Sequence, residues 1–111
     1  MSLIENSHTK LLARAMDVYA MRQKITSANI ANIDTPGYKK LSVKFEEFLR
    51  RLENGEDMSS VAPEVVQSEQ SPILEDEMME MADTQIRVQM TVRALRTEYE
   101  ILRSSITENS V

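Results

Sequence analysis

The stretch from Leu74 to Ile106, LEDEMMEMADTQIRVQMTVRALRTEYEILRSSI, decides the fold. Leu74, Met78, Met81, Gln85, Val88, Val92, Leu95, Tyr99, Leu102 and Ile106 recur at alternating steps of four and three, a heptad seam with Gln85 its one polar member. Ser71 suits the N-cap and Pro72 the first helical position. Glu75, Asp76, Glu77, Glu80 and Asp83 crowd the first turns, and Arg87, Arg93, Arg96 and Arg103 follow, the order that a helix dipole favours. A C-terminal heptad helix is therefore expected over residues 73–108, about 50 Å long. Ordering so many residues costs more entropy than one apolar seam returns, so this helix needs a partner surface along most of its length.

The N-terminal segment supplies such a surface. Ile4, Leu11, Val18 and Ile25 recur every seven residues, with Ala15, Met21 and Ala28 between them. A helix over 1–33 is expected, entered through a Ser2/Glu5 capping box or later near Thr9. It should stop near Asn32, because Asp34-Thr35-Pro36-Gly37 follows. Pro36 disfavours helical geometry at Thr35, and Pro-Gly at the centre of a turn calls for positive φ at Gly37. Beyond that turn, over 34–41, Ser42 reads as the cap of a short helix spanning 42–55. There Phe45, Phe48, Leu49 and Leu52 share a face, and Asn54-Gly55 ends the helix. Residues 56–72 contain two prolines and several Ser, Gln and Glu, and read as a flexible acidic connector with a short extended piece at Val65-Val66. The expected fold class is all-α: two long helices pairing as an antiparallel-type hairpin or coiled coil, with termini partly disordered until assembled. Leu11, Val18 and Ile25 should pack against Val88, Val92 and Leu95.

Composition supports this reading. In 111 residues there are two Gly, no Trp, no Cys and five aromatics against eight Met, too little turn and core material for a sandwich or barrel. No apolar run approaches a membrane span, and the opening MSLIENSHTK lacks the apolar core of a cleavable secretion signal. The net charge of −5 is unevenly spread. Residues 1–51 carry nine Lys/Arg and five Asp/Glu, whereas residues 52–111 carry four and thirteen. An acidic chain does not neutralise phosphates, so nucleic acid is not an expected partner. Two readings of the asymmetry stand side by side: attraction between the basic and acidic halves, within or between chains, and a solvated surface of mixed sign.

The chain offers little for catalysis. His8 is the one histidine, and without Cys or a second His no zinc or copper site can be assembled. Glu77 and Glu80 lie one helical turn apart, as paired metal carboxylates would, but no Glu-x-x-His accompanies them, and dipole matching explains them better. Glycine-rich phosphate loops, EF-hand loops and nucleophile elbows are all missing. No enzyme activity, cofactor, metal or small-molecule substrate is expected. Met78, Met79, Met81 and Met90 read either as adaptable packing within a bundle or as a binding face.

The run Ser27-Ala28-Asn29-Ile30-Ala31-Asn32-Ile33-Asp34-Thr35-Pro36-Gly37-Tyr38-Lys39 resembles the N-terminal signature of flagellar rod and hook proteins, in which a helix ends in Asn-x-Ala-Asn before Thr-Pro-Gly-Tyr. Asn29, Ile30, Ala31 and Asn32, then Thr35, Pro36, Gly37 and Tyr38, match it position by position. Within that family the proximal rod proteins are the most similar. Lys44-Phe45-Glu46-Glu47-Phe48-Leu49, Glu77-Met78-Met79-Glu80-Met81-Ala82 and Leu95–Ile106 resemble their later segments. Two departures stand out: Gln67-Ser68-Glu69-Gln70-Ser71-Pro72 replaces an Asp-Gly-Asn stretch, and Val88 stands in place of a tyrosine.

The resemblance implies a structural subunit of the bacterial flagellar basal-body rod. It implies terminal helices paired as a coiled coil and stacked helically into the axial drive shaft for motility. Asn29, Asn32 and Tyr38 would help make contacts between subunits. The implied partners are further copies, other rod proteins, the rod adaptor at the MS-ring junction and the flagellar type III export apparatus, with export needing no cleaved signal and no insertion into the membrane. The alternative is a soluble coiled-coil adaptor or secretion chaperone that never enters a filament.

Overall fold

The computed structural model describes residues 7–57 and 61–109. Helix α1 spans Ser7–Ala31, strand β1 Leu41–Lys44, helix α2 Phe45–Glu53, strand β2 Glu64–Gln67 and helix α3 Leu74–Asn109. The capping box at Ser2 and Glu5 lies outside the described residues, while Thr9 is already inside α1.

The stop signals act as their chemistry demands. Past Ala31 the chain tightens through Ile33 N–H to Ile30 O at 3.2 Å and Thr35 N–H to Asn32 O at 3.0 Å. Tyr38 N–H then closes on Thr35 O at 3.2 Å, with Gly37 at φ +78°, the left-handed residue that a Pro-Gly turn requires. Gly55, at φ +83°, ends α2 in the same way.

The molecule is mostly helical, but the all-α expectation needs correcting. β1 and β2 form a two-stranded antiparallel ribbon, with Leu41 opposite Gln67 and Lys44 opposite Glu64. Two further backbone bonds, Ser68 N–H to Lys40 O and Lys40 N–H to Gln70 O, both 2.9 Å, extend it. Ser42 therefore belongs to a strand, paired with Val66, and the short helix begins at Phe45. The connector over 56–72 is likewise not irregular throughout. Val43, Val65 and Val66 favour extended backbone, and pairing satisfies polar groups that a bare connector would leave to water.

Helices α1 and α3 lie antiparallel, as cross-links from His8 to Glu98, Arg22 to Glu80 and Asn29 to Glu77 require. The result is a rod-like molecule of 66 × 26 × 17 Å. Its apolar cluster is small and sits under α2. Val18 and Phe48 are buried there, and Phe45, Leu52 and Val61 close around them. The guanidinium of Arg14 lies 5.1 Å from the Phe48 ring centre and that of Arg22 4.7 Å from the Phe45 ring centre, so two cations of α1 clamp α2 from above.

Candidate functional site

Where α1 ends, the chain builds a buried polar knot. Asn29 is only 1% exposed, and its amide makes four hydrogen bonds. Nδ2 donates to Leu41 O at 2.8 Å and to Glu77 Oε1 at 2.7 Å. Oδ1 accepts from Leu41 N–H at 2.9 Å and from the Tyr38 hydroxyl at 3.0 Å. One side chain thus ties the end of α1, the turn, the first residue of β1 and the first turn of α3 together. Glu77, also 1% exposed, takes its second partner from Lys40, whose ammonium lies 2.8 Å from Oε2 as a charge contact out of line for a directed hydrogen bond. A buried carboxylate is tolerated because a cation and an amide face it.

Asn32 is spent locally. It donates to Ala28 O at 2.9 Å and accepts from the Thr35 hydroxyl at 3.1 Å. Both asparagines of the signature therefore use their amides within the chain, capping and clamping the helix end. Thr35, Pro36 and Gly37 form the exposed tip, with Ile30 half-buried and Ala31 exposed.

Above the knot, the face of α3 that meets α1 differs from the seam read in the sequence by one position in half of its members. Met81, Val88, Leu95 and Leu102 are half-buried. Their alternates are Glu77, Thr84, Thr91 and Glu98, also seven apart, and Thr84 and Thr91 are buried. Each threonine returns its hydroxyl to the carbonyl four residues back at 2.8 Å, leaving only its methyl to pack. The positions next door, Leu74, Met78, Val92, Tyr99 and Ile106, remain exposed, as does Gln85. On α1, Val18 and Ile25 are buried and Leu11 is half-buried. Sequence reasoning missed Lys40, Thr84 and Thr91 and assigned Glu77 to the helix dipole. The available signal was the polar heptad row running beside the apolar one.

Charge explains the choice of row. Arg22 on α1 bonds Glu80 through Nε at 2.9 Å and approaches Asp83 at 3.4 Å, while Lys40 meets Glu77 and His8 lies 2.6 Å from Glu98. Basic groups of the first half thus meet acids of the second within one chain. The hydrogen bond from Arg87, aided by its charge and that of Arg22, holds the Asp83 carboxyl below the usual carboxylate range despite some desolvation. Among the described residues no helix is long and apolar enough to cross a membrane.

A family model described as "Flagella basal body rod protein" matches residues 12–39, the stretch that contains Asn29, Asn32 and the turn. Over this segment the chain is similar to the flagellar basal-body rod protein family. That family is structural rather than enzymatic. Among curated relatives, the flagellar basal body rod protein FlgB of Borreliella burgdorferi is 42% identical over 48 residues, 43% of this chain and 36% of the relative. FlgB of Escherichia coli K12 is 42% identical over 48 residues, 42% of this chain and 35% of the relative. FlgB of Bacillus subtilis is 28% identical over 116 residues, covering 86% of this chain and 90% of the relative. The chain spans about a third of the length of the first two relatives.

Proposed function

We propose that this chain is a structural subunit of the proximal flagellar rod, joined to its neighbours through the long helices. The observation that carries this reading is the coincidence of two boundaries. The matched segment, residues 12–39, ends at the turn that the Asn29 knot fixes against α3. What the family shares is therefore the device that holds two long helices at one angle, and a shaft subunit needs that more than it needs a pocket. The heptad helices lie side by side as a coiled coil, and an interface repeated head to tail without closing yields a filament. Other rod proteins and the rod adaptor at the MS-ring junction are the neighbours this reading supplies, with delivery by the flagellar type III export apparatus and residence in the rod.

Isolated hook–basal bodies analysed by mass spectrometry test it. The chain should co-purify with the rod, and Val92→Asp should abolish its incorporation and motility. Absence from basal bodies, with abundance in the cytoplasmic fraction, would favour the adaptor reading.

A further inference from the structure

Strand β1 has two edges, and β2 covers one of them. Along an antiparallel ladder the backbone groups of successive residues point to opposite edges in turn. Ser68 N–H reaches Lys40 O at 2.9 Å, so Lys40, Ser42 and Lys44 turn their backbone groups toward β2. Leu41 and Val43 turn theirs the other way, toward α1. Among the described residues no third strand lies there. At Leu41 the Asn29 amide takes its part: Oδ1 accepts from Leu41 N–H at 2.9 Å and Nδ2 donates to Leu41 O at 2.8 Å. A neighbouring strand makes the same two-bond exchange.

Val43 meets another residue of α1. Asn29 holds Leu41 and Arg22 lies over Phe45, so β1 and α1 run in opposite directions, and Val43 falls beside Thr26. Thr26 is 4% exposed and Val43 is half-buried. In α3, Thr84, Thr91 and Thr107 return their hydroxyls to the carbonyl four residues back. The Thr26 hydroxyl does not, and neither it nor the outward backbone of Val43 has a hydrogen-bond partner among the described residues. A threonine oxygen sits one bond nearer the helix than an asparagine amide and falls short of the strand. Between the two lies a cleft of about 100 Å³, bordered also by Ile25 and Ser42.

We propose that this cleft is a hydration site, where an ordered water bridges the Thr26 hydroxyl to the backbone of Val43. The water accepts from Val43 N–H and donates to the Val43 carbonyl and the Thr26 oxygen, three bonds, the usual number for a buried water. It thus repeats at Val43 the exchange that Asn29 makes at Leu41. The space suffices, since one water takes about 30 Å³. Chemistry favours water over an ion, because the charged groups that line the cleft are already matched, Arg22 with Glu80 and Lys40 with Glu77. Backbone groups held this far from bulk solvent rarely go without a partner. With both positions filled, the α1 edge of β1 offers no free ladder to another chain.

The inference concerns the purified chain and does not rest on the rod reading. A crystal structure of the full chain should show an ordered water within about 3.2 Å of Thr26 Oγ1 and of the Val43 backbone. The water should persist in Thr26→Ser and be lost in Thr26→Val, which keeps the shape of the side chain without its hydroxyl. Amide exchange gives a second reading in solution. Val43 N–H should exchange about five- to tenfold faster in Thr26→Val and at the parent rate in Thr26→Ser. Leu41 N–H, held by Asn29, should be unchanged in both. A Thr26 hydroxyl folded back onto the Arg22 carbonyl over a closed cleft overturns the inference. So does an unaltered Val43 rate in Thr26→Val, and so does an equal acceleration at Leu41, which marks general loosening of the ribbon.

Discussion

The two ends of the helix pair are made from the same two helices and held by different forces. At the turn end, Asn29, Tyr38, Lys40 and Glu77 converge with β1 in a knot whose polar groups are nearly all satisfied from three elements. At the open end, from Leu95 to Glu108, only Leu95, Glu98 and Leu102 are even half-buried, and the contact of His8 with Glu98 joins the helices there. Heptad periodicity runs through both ends and does not distinguish them. What distinguishes them is where a buried polar group has no alternative partner, because such a group penalises every misplacement and an apolar row tolerates sliding. The knot therefore fixes register and angle, and the open end is left to be completed by other surfaces.

The contrast breaks most sharply at Asn29. Asn29→Leu should leave the Tyr38 hydroxyl, both Leu41 backbone groups and one Glu77 oxygen without partners. The expected cost is about 3–5 kcal/mol, enough to unfold much of a small domain in urea melts followed by circular dichroism. A loss below about 1 kcal/mol would mean that the knot is decoration and that the helix seam alone sets the register.

Next in size is the turn itself. Gly37→Ala meets no atom within 4 Å of the new Cβ, so any cost is conformational, from holding φ near +78°. About 1 kcal/mol is expected in the same melts. Leu102→Ala, in the row that Met81 begins, should cost less, under about 1 kcal/mol, because its side chain is only half-buried. Amide exchange should moreover show residues 99–106 opening well before residues 77–84. Uniform protection along α3 would erase the distinction between the ends.

Most of this fold was legible in the sequence, and the failures share a cause. The helix stop at Asn32, the positive φ at Gly37, the Phe48 face of α2 and the long C-terminal helix all follow from local chemistry, which a sequence carries in adjacent residues. The ribbon did not, because the pairing of Leu41–Lys44 with Glu64–Gln67 depends on a crossing that neither segment announces. The seven-residue period of the seam recurs along α3, but Met78, Val92 and Tyr99 are exposed while Thr84 and Thr91 are buried. Hydrophobicity picks the apolar row, but Thr84 and Thr91 win the inner face once their hydroxyls fold back on the helix and Glu77 and Glu80 find Asn29, Lys40 and Arg22 across it. Within the signature, the Asn and Tyr residues were identifiable, but the closure of their hydrogen bonds inside one chain was not.

The smallest expected effect lies between the two ends, at Asp83, and its sign is fixed. Arg87 bonds Asp83 at 2.9 Å, one turn away on α3, and Arg22 approaches it from α1. Both favour the carboxylate and hold its pKa in the folded chain below the ordinary 3.8. Since the unfolded chain binds this proton more readily, the contribution is present above pH about 4 and is lost as pH falls through the folded value. Urea midpoints should therefore drop between pH about 5 and pH about 3, and Asp83→Asn should flatten part of that slope. The Asp83 side chain is about half exposed, so the share is small. An unchanged slope in Asp83→Asn would mean that the contacts of Arg87 and Arg22 with Asp83 add nothing to the stability of the helix pair.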